Sequence, residues 1–266
     1  MGNRYIRNYA KIQYNTPNLL NDRINLWKFG LNPQSLTKWI FSHLKLKEHE
    51  QILELGCGTG KLWADNYTQV PNTCKIVLSD FSERMLDNAR MNLKGIDLSI
   101  KFENINAEKF PYPEHTFDLI VACHMLYHVP DLSKALSEIS RTLKPNGRFI
   151  STTVSVQHMA ELNSFLSRFN LHKRDRQKYY NEIHIETGRE ILEPYFSNIF
   201  CYEYINPVEI YEVTPLLTYI KSMFPKEKYP DFQLKEADIQ NAIQSIIDTD
   251  KKFTITGISG LFKARN

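Results

Sequence analysis

No apolar run in the 266 residues approaches the roughly 20 needed to span a bilayer, so a membrane partner is not expected. Cysteine is sparse. The four, at 57, 74, 123 and 201, form no Cys-x-x-Cys pair, and Cys57 and Cys123 lie in or beside apolar runs. That pattern argues against a disulfide framework and against a zinc site, so no metal is expected, and it suits reduced thiols in a cytosolic protein. The opening "MGNRYIRNYAK" has no apolar signal core, and Ile6 stands where a myristoylation pattern needs Ser or Thr. A cytoplasmic location is the expectation. The formal net charge of +3 is too small to mark a nucleic-acid binder. The basic run "HKRDRQK" (172–178) is broken by Asp175 and reads as a solvated face. Repeats and low-complexity segments are absent, and the length fits one large domain, or one domain with a modest cap.

What is present is a change of rhythm along the chain. Residues 1–47 read as a helical, polar-aromatic lid. Leu19, Leu20, Ile24 and Trp27 recur at helical spacing, as do Leu36, Ile40 and Leu44, and Asn32-Pro33 separates the two sets. Residues 48–155 alternate strands and helices. "QILEL" (51–55), "KIVLS" (75–79), "LSIKFENI" (98–105), "FDLIVAC" (117–123) and "RFISTTV" (148–154) read as strands. Ser82 stands at an N-cap position ahead of Met85, Leu86, Ala89 and Leu93. Leu132, Ala135, Leu136, Ile139 and Leu143 form a second amphipathic face, ended by "KPNG". This order predicts an α/β fold with a mostly parallel sheet covered by helices on both faces. Residues 156–266 lose the rhythm. "MAELNSFLSRF" and "KEADIQNAIQSIID" read as helices, "IFCYEYI" (199–205) as a strand and "FTITGISGLFKAR" as one final strand. They are expected to finish the sheet and to insert a helical cap.

The chemistry concentrates in "QILELGCGTG". A strand feeding a glycine-rich turn aims backbone N–H groups beyond the strand's C-terminal edge, where ligands of open sheets bind. The spacing of Gly56, Gly58 and Gly60 is G-x-G-x-G, not the G-x-G-x-x-G of dinucleotide binders. Glu54, two residues ahead, would repel a pyrophosphate and suit a cationic amine. Asp80 ends the second strand, where an acid accepts hydrogen bonds from both ribose hydroxyls. Together these imply a nucleoside carrying an amino acid and no phosphate.

"ILELGCGTG", Asp80, "NAEKFPYPEHTFDLIVACHMLYHVPD" and "RTLKPNGRF", in that order over residues 50–155, resemble the class I S-adenosylmethionine-dependent methyltransferases, of the small-molecule "methyltransferase type 11" kind. The resemblance implies a Rossmann-like, seven-stranded sheet and S-adenosyl-L-methionine as cofactor. By position it places Gly56, Gly58 and Gly60 at the cofactor's methionine end, Glu54 near its amino group and Asp80 on its ribose. Phe81 and Met85 would pack on the adenine, although Met85 also stands at core spacing. Ala107 and Glu108 match the place where the adenine amino group is recognised. His124 and Met125 would lie under the cofactor.

A hydroxyl or ammonium acceptor must lose a proton during transfer, and histidine suits that task. His124 and His128 stand at the C-terminal edge of the fourth strand and would share one face of a helical turn. Both are candidate catalytic residues, though His128 could equally tie down its own loop. Tyr127 reads as a wall. In the expected lid, Tyr14 and Arg23 are the preferred cofactor contacts. After the fourth strand the chain reads "ACHM", without the N/D-P-P-Y-like turn of base-amine methyltransferases and without the acidic cluster of a metal-dependent O-methyltransferase. The expected activity is therefore methyl transfer to an oxygen or nitrogen of a small-molecule acceptor. A tRNA- or RNA-modifying enzyme and a non-catalytic cofactor binder are the alternatives.

Overall fold

The computed structural model describes residues 17–171, 183–224, 229 and 232–266. Tyr14 and the 172–178 run lie outside them. Strands β1 (Gln51–Leu55), β2 (Lys75–Ser79), β3 (Ser99–Glu103), β4 (Phe117–Cys123) and β5 (Leu143–Val154) are parallel neighbours in the order β3-β2-β1-β4-β5. β6 (Ser197–Ile205) and β9 (Ile258–Arg265) complete a seven-stranded sheet of order β3-β2-β1-β4-β5-β9-β6, with β9 antiparallel to both of its neighbours.

Side chains on successive strand residues point to opposite faces, and here both faces are buried. Leu53, Leu55, Ile120 and Ala122 pack on one side with α5 (Leu132–Thr142) and α7 (Ile185–Leu192). Ile52, Ile76, Leu119 and Val121 pack on the other with α2 (Leu36–Leu44), α3 (Lys61–Ala64) and α4 (Glu83–Asn92). Ser82 caps α4 by accepting a hydrogen bond from Met85 N, and Asp131 caps α5 by accepting from Lys134 N.

A further apolar cluster is built away from the sheet. It joins Leu26 of α1 (Pro17–Leu26) to α6 (Ala160–Ser167), α8 (Val213–Met223) and α9 (Phe232–Asp250), and to a two-stranded sheet of β7 (Val208–Ile210) and β8 (Phe253–Ile255). The sequence reading differs from this in two places. The final strand is two, β8 and β9, broken at Gly257. A Cβ there would stand 2.1 Å from the Asn206 carbonyl oxygen and 2.8 Å from the Trp27 ring, so the chain turns where only glycine allows the close approach. In the segment read as a lid, α2 buries Ile40, Phe41 and Leu44 against the sheet's own core, while α1 packs on the cap cluster.

Candidate active site

The C-terminal ends of β1, β2, β4 and β5 open into one cavity of about 1600 Å³, roofed by α1 and by cap residues. Gly56 and Gly58 continue β1 with φ of 65° and 55°, left-handed values that glycine alone adopts without strain. Gly56 lies against the loop after β4, where a Cβ would come 2.8 Å from Met125 Cβ. Around Gly58 a Cβ would meet nothing within 4 Å, so its backbone faces open space. Gly60 differs from expectation. It is not in the cavity wall; its Cβ position abuts Leu93 and Ala89, so its role is to seat α4 against the loop.

Asp80 fastens this loop. Its Oδ2 accepts from Gly58 N (3.0 Å) and its Oδ1 from Ser82 N (2.8 Å). Burial raises its pKa, while the N–H groups of Ser82, Gly58 and Phe81 draw it back down. Each carboxylate oxygen accepts more than one hydrogen bond, so acceptor capacity is left for a diol. Glu54 is 2% exposed, and its Oε2 accepts from Trp63 Nε1 at 2.6 Å. Burial pushes its pKa up to about 7; the indole hydrogen bond opposes that shift and the nearby Asp80 adds to it.

Phe81, Met85, Ile105, Asn106 and Ala107 line the cavity beside Asp80. Phe81 is 48% exposed, whereas Met85 is 2% exposed and also serves the core. Glu108 departs from its expected place. It does not line the cavity; its Oε1 accepts from Asp131 N (3.1 Å) at the start of α5. Asn106, passed over in the sequence, does line it, and its Oδ1 accepts from Glu108 N.

His124 follows β4 directly in a left-handed conformation, φ 50°. Its N–H donates to both the carbonyl (3.2 Å) and the Oγ1 (3.0 Å) of Thr152, which pin it there. The residue as a whole is half-buried, but its Nε2 is fully buried and has no hydrogen-bond partner among the described residues. Burial holds its pKa down at about 4. His128 is held at about 3 by burial, then by the charges of Arg23 and His124. The two histidines do not share a helix face as expected, because only a 3-10 turn, Leu126–His128, forms there. They meet because both project into the same cavity. Met125, Tyr127 and Arg23 also line it, and Tyr127 packs edge-on against His128 at 4.6 Å.

The residues fit a nucleoside with a cationic tail. An apolar slot lies beside a diol acceptor, the open backbone of Gly58 follows, and two carboxylates disfavour a pyrophosphate. A methyltransferase domain model matches residues 46–198 of the chain. The chain belongs to the methyltransferase domain family, in its class I, S-adenosylmethionine-dependent branch. Over 129 residues it is 33% identical to the ubiquinone/menaquinone biosynthesis C-methyltransferase UbiE of Escherichia coli, covering 48% of this chain and 51% of that protein. The chain thus spans about half the length of the curated relatives it matches.

Two solved structures share the fold of the methyltransferase domain. The YcgJ protein from Bacillus subtilis superposes with a TM-score of 0.61 at 17% identity, over 86% of this chain and 97% of that one. The phosphoethanolamine N-methyltransferase 2 of Haemonchus contortus, in complex with phosphomonomethylethanolamine and S-adenosylhomocysteine, gives 0.56 at 18%, over 86% and 52%. Among the described residues no helix is long and apolar enough to cross a membrane, and no group of three His, Cys, Asp or Glu is placed to hold a metal ion.

Besides Asn106, the wall residues His158 and His184 escaped the sequence reading. Trp63, the buried partner of Glu54, sat unremarked on an apolar helix face. His158 follows β5, and the rule that ligands sit at C-terminal strand edges would have found it. His184 and other cap residues carried no local signal.

Proposed function

We propose that the chain transfers a methyl group from S-adenosylmethionine to an oxygen or nitrogen of a small molecule. The observation that carries this reading is the continuity of one cavity from Gly58 and Asp80 to His124, His128 and the cap. When bound, the cofactor supplies a methyl group on a positively charged sulfur, already activated for in-line displacement. The chain's part is to orient and to exclude water, and orientation alone supplies roughly 7–11 kcal/mol in favourable cases. Asp80 and the Gly58 backbone hold the sugar and tail, and Glu54 faces the positive end.

His124 is assigned the acceptor side. The neutral imidazole of His124, in the cavity wall, would accept a hydrogen bond from an acceptor O–H or N–H and take the proton as transfer proceeds. Thr152 fixes the backbone from which it projects. A second reading has one specific support: the curated relatives named above are C-methyltransferases. An enol- or phenol-type acceptor methylated at carbon would use the same wall and the same imidazole.

The test is incubation of the protein with methyl-labelled S-adenosylmethionine and cell extract, followed by mass spectrometry of the labelled product. A labelled small molecule and release of S-adenosylhomocysteine are expected, and the labelled atom separates O, N and C transfer. Cofactor binding without turnover would make the chain a binder, not an enzyme. His124→Ala should lower turnover by about 100-fold or more, as loss of a positioned acid–base does. Its S-adenosylhomocysteine affinity should stay within about twofold, since ground-state cofactor binding does not use that proton. The reverse split would make His124 a cofactor contact.

A further inference from the structure

We propose that the methyl acceptor is an anion, a carboxylate or phenolate oxygen on a ring-bearing body, held by Arg23 on the cap side of the cavity. This rests on the methyl-transfer reading and narrows it.

The cavity's acids lie on one side. The carboxylates among its described lining residues are Glu54, Asp65, Asp80 and Glu83, all within residues 54–83 and so on the cofactor half, where Lys61, paired with Asp65, and Arg84 also line it. The lining contributed by α1 and the 3-10 turn that follows it (Trp27–Phe29), by the loop after β4 and by the cap holds no acid; it holds Arg23 and Lys28 with four histidines, 124, 128, 158 and 184. An ammonium acceptor there would face like charge, which within about 4–6 Å disfavours the charged form. An acidic oxygen would face its complement.

Arg23 is set in place for this. Its Nη2 donates to the Ser222 carbonyl on α8 at 2.8 Å, so the guanidinium is fixed to the cap wall. It is close enough to His128 that its charge adds to burial, the larger cause, in keeping that imidazole neutral. Arginine stays charged at any working pH and presents a planar fork matched to a carboxylate. The neighbouring wall is flat and aromatic: Trp27 stacks on His158 with ring centroids 5.2 Å apart, and Tyr127 and Tyr219 line the same space. His158 Nδ1 accepts from Ile258 N at 3.0 Å. The ring proton of a neutral His158 is therefore on Nε2, and the ring is a donor.

Size agrees. A single small-molecule site takes roughly 300–1,000 Å³, and this cavity of about 1600 Å³ leaves room for a second molecule beside the cofactor. A phenol bound here gives its proton to His124 as its oxygen becomes the anion that Arg23 holds; a carboxylate arrives ionised and needs no base.

The test is titration calorimetry on the full chain saturated with S-adenosylhomocysteine, using benzoate, benzamide and benzylamine as isosteric anionic, neutral and cationic probes. Benzoate should bind at least tenfold tighter than the other two. R23Q should lose that tenfold for benzoate while keeping S-adenosylhomocysteine affinity within twofold, and R23K should recover part of the loss. Benzylamine or benzamide binding as well as benzoate would overturn the proposal. So would undetectable benzoate binding, or an R23Q defect that falls on S-adenosylhomocysteine instead, which would return Arg23 to the cofactor role expected from the sequence. The wild-type probe order decides the matter even if R23Q does not fold. Failure of the wild-type chain to bind S-adenosylhomocysteine at all would instead sink the underlying methyl-transfer reading.

Discussion

Asp80 holds a loop and, on the methyl-transfer reading, would also hold a ligand with the same carboxylate, so its removal should be felt twice. Asp80→Ala strips acceptors from Gly58 N and Ser82 N and removes the diol partner as well. S-adenosylhomocysteine affinity should fall by about 1–3 kcal/mol, the usual cost of leaving polar groups unpaired; an unchanged affinity in calorimetry would take Asp80 out of the site. Glu54 is the opposite kind of residue, one whose charge burial resists. Its pKa rises from an ordinary 4.5 to about 7. Between those values the native state binds a proton that the unfolded chain does not, so stability is greatest below about pH 4.5 and declines as pH rises through 7. Above pH 7 the cost is about 3 kcal/mol. Glu54→Gln keeps an oxygen for Trp63 Nε1 and removes the charge. Its urea midpoint should exceed wild type by more at pH 8 than at pH 5, while cofactor affinity drops. Equal gains at both pH values would refute the raised pKa. On the methyl-transfer reading, the stability given up at Glu54 would be recovered when a positive ligand binds, which is how a binding site differs from a core position.

At the scale of elements, β5 is joined by a buried ion pair to the segment between α2 and β1. Arg148, midway along β5, donates from Nη1 and Nη2 to both carboxylate oxygens of Glu50 (2.7 and 2.9 Å) and also reaches the Leu44 carbonyl at the end of α2. The side chains are 9% and 7% exposed. Glu50→Ala leaves the guanidinium buried without its counter-charge and should lower unfolding free energy by roughly 3–5 kcal/mol in urea. A loss under 1 kcal/mol would mean that water reaches the pair. Nothing local announces this contact, because its partners stand 98 residues apart. The strands were legible because their information is local: Ile52 and Leu53 alternate faces, "KIVLS" and "FDLIVAC" are short apolar runs, and Ser82 caps where serine caps. The placement of Asp80 and Gly58 at the strand edge was legible because an edge motif must contain them. Gly60 and Glu108 were misplaced because motif position says nothing of where a neighbouring helix lies; α4 claims the first and the start of α5 the second. The break at Gly257 was illegible because the Trp27 ring and Asn206 carbonyl that force it are far away in the chain.

At the scale of the whole molecule, the cavity lies at a seam between the sheet's two cores and the cap's separate cluster, and buried histidines sit on that seam. This sets the acid stability of the protein. His124 and His128 are held neutral, at about 4 and about 3 against an ordinary 6.5. Below pH 6.5 the unfolded chain takes up protons that the native chain refuses, so these groups contribute stability that is present above 6.5 and lost as pH falls toward 4 and 3. Each contributes up to about 1.4 kcal/mol per pH unit in that window. Glu54 acts against them over 4.5 to 7, gaining stability as pH falls, so the wild-type acid limb is the difference of opposing terms. His128→Asn should flatten the dependence of unfolding free energy on pH between 4.5 and 6, and Glu54→Gln should steepen it. Urea unfolding at half-unit pH steps reads both slopes. A His128→Asn slope equal to wild type would mean that this imidazole titrates as it does in water, and that the seam is open to solvent rather than closed by α1 and the cap.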